Sequence, residues 1–133
     1  MKSFSVKTKG WTDIIDVTDD VQNFVDESGK KTGVVSLFAV GSTVALTTIE
    51  NDPNLYEDLK EVLEKLTPYK KDWKHHKTWG DDNGAAHLRA SLFGPSLTVP
   101  FEDGSLKLGT WQKIVLIDFD TRARTRDVIV SIL

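Results

Sequence analysis

Three histidines, His75, His76 and His87, and a glutamate closing an apolar run, Glu50, are the residues best suited to hold a metal ion or move a proton. Imidazole nitrogens with a carboxylate bind Zn²⁺ or a similar ion, and water on such an ion becomes nucleophilic near neutral pH. His75 and His76 are adjacent and point in different directions, so at most one of them shares a site with His87. A second group suits an anion. Gly41-Ser42-Thr43 offers hydroxyls and open backbone N–H groups where a strand breaks, and Arg89, Arg122, Arg124 and Arg126 carry guanidinium forks for phosphate or carboxylate. A third candidate pairs Trp111, expected inside a strand as core or subunit contact, with Gln112, able to orient a polar substrate group. None of these spacings is a motif alone. Exposed loop histidines and arginine-rich turns that protect sheet edges are the plain alternatives. No P-loop lysine follows Gly41-Ser42-Thr43, and there is no nucleophile elbow, Rossmann glycine pattern or aromatic-basic interleaving of RNA-binding type.

The elements that must position these residues are legible from periodicity. Phe4–Thr8 and Asp13–Val17 alternate as half-buried strands across the turn at Lys9-Gly10. Thr18 stands as an N-cap, with Asp19 and Asp20 at the positive helix end, Val21, Phe24 and Val25 on one face, and Gly29 as the C-terminal stop. Gly33–Val40 is almost wholly apolar and predicts a central strand buried on both faces, with Val44–Glu50 as its partner. Leu55, Leu59, Val62, Leu63 and Leu66 predict a helix entered at Pro53 with an Asn54…Glu57 capping box and ended by Thr67-Pro68. Tyr69–Gly84 has no period yet holds two tryptophans and two histidines, which marks a functional loop. A short helix over Ala85–Phe93 follows, then a strand at Ser96–Pro100, a turn at Glu102-Asp103-Gly104, and a strand pair or bent strand over Leu106–Phe119. A basic turn over Thr121–Arg126 leads to a last strand, Val128–Leu133.

The chain's 133 residues make a single domain, 1–133, of α+β class, long enough to bury a core without cross-links. With no cysteine, disulfides, thiolate metal sites and cysteine nucleophiles are excluded. Seventeen basic against 20 acidic residues leave a net charge of −3, so no global field draws nucleic acid or anionic lipid. No apolar run approaches the roughly 20 residues of a membrane span, and the opening MKSFSVKTKG lacks a signal-peptide core. The expectation is a cytoplasmic protein with no nucleic-acid or membrane partner.

Five segments together, GSTVALTTIE (41–50), WKHHKTWG (73–80), NGAAHLRASLFGPSLTVP (83–100), DGSLKLGTWQ (103–112) and FDTRARTR (119–126), resemble the YjbQ family, described as secondary thiamine-phosphate synthase-like. The resemblance implies an α+β fold with a seven-stranded, mostly antiparallel two-sheet sandwich, two main helices and a short third, in a homotrimer whose sheets pack around a threefold axis. It further implies a metal or anion site near the subunit contacts. The family's glutamate falls on Glu50, its loop histidine on His75 and its helix histidine on His87, flanked by Ser42, Thr43, Arg89, Trp111, Gln112 and Arg124. The same three residues, Glu50, His75 and His87, would serve as catalytic groups and as ligands of a divalent metal, zinc or magnesium. Two departures stand out. Relatives often have His-Thr-Thr where this chain has Gly41-Ser42-Thr43, and those with Gly-Ser-Thr tend to carry a further histidine where this chain has Ala85. The implied activity joins a pyrimidine-methyl diphosphate to a thiazole phosphate, so the partner is a small phosphorylated metabolite. The alternatives are a metal-dependent hydrolase or lyase of such a metabolite and a non-catalytic ligand-binding trimer.

Overall fold

The break at Gly41-Ser42-Thr43 turns out to carry the chain from one sheet to another. In the computed structural model, which describes residues 1–133, the strands are β1 (Lys2–Thr8), β2 (Asp13–Asp16), β3 (Gly33–Ala39), β4 (Val44–Glu50), β5 (Ser96–Glu102), β6 (Ser105–Leu106), β7 (Gln112–Asp118) and β8 (Arg124–Ile132). The helices are α1 (Thr18–Ser28), α2 (Pro53–Leu66), α3 (His76–Trp79) and α4 (Gly84–Phe93). One sheet runs β1-β8-β3-β5-β6 and the other β2-β7-β4, with every pairing antiparallel. The α+β sandwich is therefore as expected, with eight strands where the resemblance implied seven. The eighth is the two-residue β6, the return arm of the hairpin at Asp103-Gly104. α3 adds a single turn of helix inside the aperiodic 69–84 stretch.

Two expectations about β3 and β4 are corrected. They are not partners: β3 pairs with β5 and β8, and β4 pairs with β7 in the other sheet. Nor is β3 buried on both faces, since Phe38 is 46% exposed on the outer face. The doubly buried strand is β7, whose Ile114 and Leu116 join the core between the sheets while Val115 and Ile117 pack under α2 and α4. This makes three layers: the five-stranded sheet, the three-stranded sheet, and the α2/α4 pair. α1 closes one side of the inner core with Val21 and Val25.

The caps also differ from the expected ones. Thr18 lies inside α1, its N–H bonded to the Asp16 carboxylate at 2.9 Å, and its hydroxyl accepts from Ile114 N–H at 2.9 Å, which pins the helix to β7. α2 is capped by Asp52, which accepts from Asn54 N–H at 3.1 Å with Pro53 in the first turn, so the Asn54…Glu57 box is not used. The placement of Trp111 inside a strand and in the core is corrected as well. Trp111 stands in the turn before β7, 71% exposed, because β7 begins only at Gln112.

Candidate functional site

α4 begins at Gly84, and the chain must come close there. A Cβ at Gly84 would lie 2.9 Å from Trp73 Cβ and 3.2 Å from His75 Cβ, so only glycine lets the helix start press against the loop. Trp73 is fixed by its indole N–H, which donates to the Pro68 carbonyl at 2.9 Å. One turn into α4, His87 meets the ring of His75 with centroids 4.7 Å apart and a 48° tilt. The two imidazoles wall a cavity of about 460 Å³ with Lys71, Trp73, Lys74 and Leu88. That volume falls within the range of small-molecule sites. Lys71 lies 4.4 Å over the Trp73 ring, and the lining carries two lysines against the single carboxylate of Asp72. His75 Nδ1 is buried with no hydrogen bond; Asp81 stands 3.4 Å away but off the bonding direction.

Behind the 41–43 loop lies a buried polar network. Arg126 donates to both oxygens of Asp118, from Nε at 2.7 Å and Nη2 at 2.9 Å, and Nη2 also donates to Thr43 Oγ1 at 2.6 Å. Thr43 in turn donates to Asp120 at 2.9 Å, and Asn83, at the head of α4, donates to the same oxygen at 3.2 Å. Burial pushes the Asp120 carboxyl up, yet the bonds from Thr43, Asn83 and the Arg122 N–H and the charge of Arg124 outweigh it, leaving a net value below the ordinary carboxylate range. This network ties β4, β7 and β8 to the start of the helix that bears His87.

Apart from His76 and Arg89, the candidates taken from the sequence divide three ways. His75 and His87 meet, with Ser42 near them: a second cavity is lined by Gly41, Ser42, Val44 and His87. Thr43, Arg124 and Arg126 belong to the polar network, Arg124 at 3.3 Å from Asp120. Glu50, Trp111 and Gln112 sit at the far end of β4 and β7, where Glu50 pairs with Gln112 and the Gln112 amide donates to Thr48 Oγ1 at 3.1 Å. The seven-residue strand from Val44 to Glu50 spans about 20 Å from end to end. One chain thus brings two imidazoles together without the glutamate. His76 cannot replace it, because its two neighbouring carboxylates, Asp72 at 3.7 Å and Asp82 at 3.5 Å, face opposite ring nitrogens and cannot converge on one ion.

Arg89 is not free to bind an anion. It is 1% exposed; Nε donates to the Thr67 carbonyl at 3.0 Å, Nη1 to Thr12 Oγ1 at 3.0 Å and Nη2 to Glu64 at 2.7 Å, and its guanidinium stacks 4.0 Å from the Tyr69 ring. Its position in the buried face of α4, one turn from Ala85 and Ala86, makes it a strut between α4, the end of α2 and the β1–β2 turn. Sequence reasoning missed Lys71 and Lys74, whose signal was their interleaving with Trp73 and His75 in the aperiodic loop. It also missed Asp118, Asp120 and Asn83; the run Asp118-Phe119-Asp120 held an available signal, two carboxylates at strand spacing on one face.

Residues 2–133 match the family model described as UPF0047 protein YjbQ-like. A UPF0047 protein from Archaeoglobus fulgidus is 43% identical over 129 residues, covering 97% of this chain and 98% of that protein. The UPF0047 protein YugU of Bacillus subtilis is 33% identical over 127 residues, covering 94% of each. Among solved structures, an uncharacterized conserved YjbQ/UPF0047 protein from Clostridium acetobutylicum superposes with a TM-score of 0.90 at 38% identity, covering 100% of both chains. A protein from Sulfolobus solfataricus, named YbjQ-like and of unknown function, superposes with a TM-score of 0.91 at 34% identity, over 98% of this chain and 94% of that one. Sequence and fold agree over the full length, and the chain belongs to the YjbQ-like UPF0047 family.

Proposed function

We propose that this chain binds a small phosphorylated metabolite in the His75/His87 cavity and that the two imidazoles move protons during transfer of that ligand. The observation that carries this is the pair of rings at 4.7 Å in a cavity flanked by two lysines, within a chain whose net charge is −3. A local positive lining in an acidic protein favours an anionic ligand. The apolar walls given by Trp73 and Leu88 suit a planar ring. The reaction we propose is the one the family resemblance suggests: a C–N bond forms between a thiazole phosphate and a pyrimidine-methyl group as its C–O bond to diphosphate breaks. An imidazolium and the lysine cations would neutralise the departing pyrophosphate. A metal-dependent hydrolase or lyase reaction and ligand binding without turnover are the competing readings.

Within one chain the residues do not make a metal site, since no three His, Asp or Glu side chains converge. The separation of Glu50 from the histidines favours a second element of the proposal: a homotrimer in which Glu50 of the partner subunit completes the site, and a divalent ion, zinc or magnesium, is held only there. The outer face of the five-stranded sheet supports self-association on its own account, at a surface across the sandwich from the helix that bears His87. Its central rows, Thr98-Ser36-Ser131 and Ser96-Phe38-Ile129, carry no charge and leave Phe38 open. The cytoplasmic assignment is proposed with it; no helix is long and apolar enough to cross a membrane.

The test combines sedimentation mass with elemental analysis of the tag-free protein, beside release of pyrophosphate from the two substrates. Three chains per particle, turnover in the wild type, and its loss in the His75→Ala, His87→Ala double variant are expected. Unchanged turnover in that variant overturns the site. Pyrophosphate release absent from wild type, with hydrolysis of a phosphorylated metabolite instead, selects the hydrolase. Metal in the wild type that is lost in both His87→Ala and Glu50→Gln supports the shared site; a single-chain mass overturns it.

A further inference from the structure

His87 walls two cavities at once, and the second has a different chemistry. Besides the larger space shared with His75, it lines a cavity of about 190 Å³ bounded by Gly41, Ser42, Val44, Ala90 and Pro95. This is below the size of a site that encloses a whole metabolite, yet roomy enough for a phosphate-sized group. Its donors are unspent. The backbone N–H groups of Gly41 and Ser42, which line it, make no hydrogen bond within the chain, and neither does the Ser42 hydroxyl; the N–H of the next residue, Thr43, is likewise unpaired. Consecutive free N–H groups of this kind are what oxyanion-binding loops present.

A guanidinium stands beside them. Arg126 uses Nε and Nη2 on Asp118 and Thr43, while Nη1 has no partner and reaches solvent although the side chain is only 10% exposed. Its outlet is at Gly41. A Cβ there would come 2.6 Å from Nη1 and 3.0 Å from Val44 Cγ1, and the φ of +148° is one that side chains rarely adopt. Glycine at this position leaves Nη1 uncovered, behind the loop rather than among the residues that line the cavity. No carboxylate lines the cavity; Asp118 and Asp120 lie on the far side of the guanidinium.

Resting on the site read above, we propose that the Gly41–Val44 cavity is an oxyanion subsite for a phosphate-sized group, with the organic part of the ligand in the larger cavity and His87 between them. The ligand class follows. It has a planar or apolar body with one anionic group beside Lys71 and Lys74, and a second, compact phosphoryl or carboxylate end at the Gly41–Val44 loop. The His87 ring nitrogens make no hydrogen bond within the chain, so both stay available to a ligand between the two cavities.

Inorganic phosphate is the probe. It is titrated into the assembled wild-type protein with backbone-amide and imidazole ¹H–¹⁵N spectra recorded, then into Ser42→Ala, Gly41→Ala and Lys71→Ala. Phosphate is expected to shift the Gly41, Ser42 and Thr43 amides and the His87 ring. Ser42→Ala should weaken it several-fold, Gly41→Ala at least tenfold, and Lys71→Ala less than twofold. Should Gly41→Ala fail to fold, Ser42→Ala decides. Phosphate that perturbs only Trp73 and His75, and weakens in Lys71→Ala alone, overturns the subsite while leaving the larger cavity as the anion site. No saturable binding, or a phosphate effect spread over exposed lysines as an adventitious ion only, overturns the subsite too. Failure of the broader proposal is read separately, from the pyrophosphate-release assay.

Discussion

Replacing Arg89 by methionine separates its two possible roles, since Met preserves the stem and removes the guanidinium. The loss comprises charged-group hydrogen bonds to the Thr67 carbonyl and Thr12 hydroxyl, both at 3.0 Å, and stacking on Tyr69 at 4.0 Å. Each such bond is worth roughly 1.5–3 kcal/mol and the stacking about 1 kcal/mol, without full additivity. The Glu64 pair adds little, because that carboxylate is 52% exposed and hydrates once freed. The expected cost is about 3 kcal/mol. For 133 residues, an unfolding entropy of roughly 2.1 cal/mol/K per residue gives about 0.28 kcal/mol/K, so the melting midpoint should fall by about 11 °C. Glu64→Gln, the internal control, should cost under about 1 kcal/mol. Urea and thermal unfolding followed by circular dichroism read both, with phosphate titration alongside. An Arg89→Met midpoint within about 3 °C of wild type, with phosphate affinity reduced tenfold, would refute the strut and restore Arg89 as an anion ligand.

Two predictions concern titration. Because the Asp120 carboxyl is held low, its contribution is complete above the ordinary value of about 3.9 and is lost as pH falls through the lowered one. Asp120→Asn should therefore destabilise the protein by about 1–3 kcal/mol at neutral pH and converge on wild type in strong acid; urea unfolding across pH checks this, and a constant gap contradicts it. Both tyrosines are pushed up, Tyr56 by burial and then by Asp16 and Asp52, Tyr69 by burial that outweighs the Thr12 bond and the Arg89 charge. Neutral phenol stabilises the fold up to the ordinary value near 10 and that stabilisation is lost as pH rises through the raised one. Tyrosinate absorbance should accordingly appear only above that value for either residue; an ordinary midpoint in wild type, unchanged in Tyr69→Phe, counts against the burial account.

Much of the fold was legible because its signals are local. The leucine spacing of α2, the β-branched run of β4 and the glycine stop of α1 each depend on neighbours within a few residues, and each element formed where that period placed it. Pairing was less legible. β3 and β4 look like a hairpin, but a hairpin needs a turn that returns the strand to its own sheet, and Gly41-Ser42-Thr43 instead hands the chain to β7. The same holds for burial: β7 and β3 have similar apolar content, yet only β7 has a layer on each side.

The residue types alone determined that the chemistry would rest on imidazole, guanidinium and hydroxyl, since the chain has no thiol, while the choice of His75 over His76 came from the family resemblance. Tertiary structure decided what each charged side chain does. Arg89 and Arg126 are equally able to hold an anion in a list of residues. One is spent on Thr67, Thr12 and Glu64, and the other keeps a single nitrogen free beside Gly41. Glu50 looked close to Ser42 along the chain and lies a full strand away in space. The physical reason is range. Periodicity is written within a turn or a strand, whereas the partner of a guanidinium comes from 83 positions away, as Thr43 does for Arg126, and only the packed layers bring the two together.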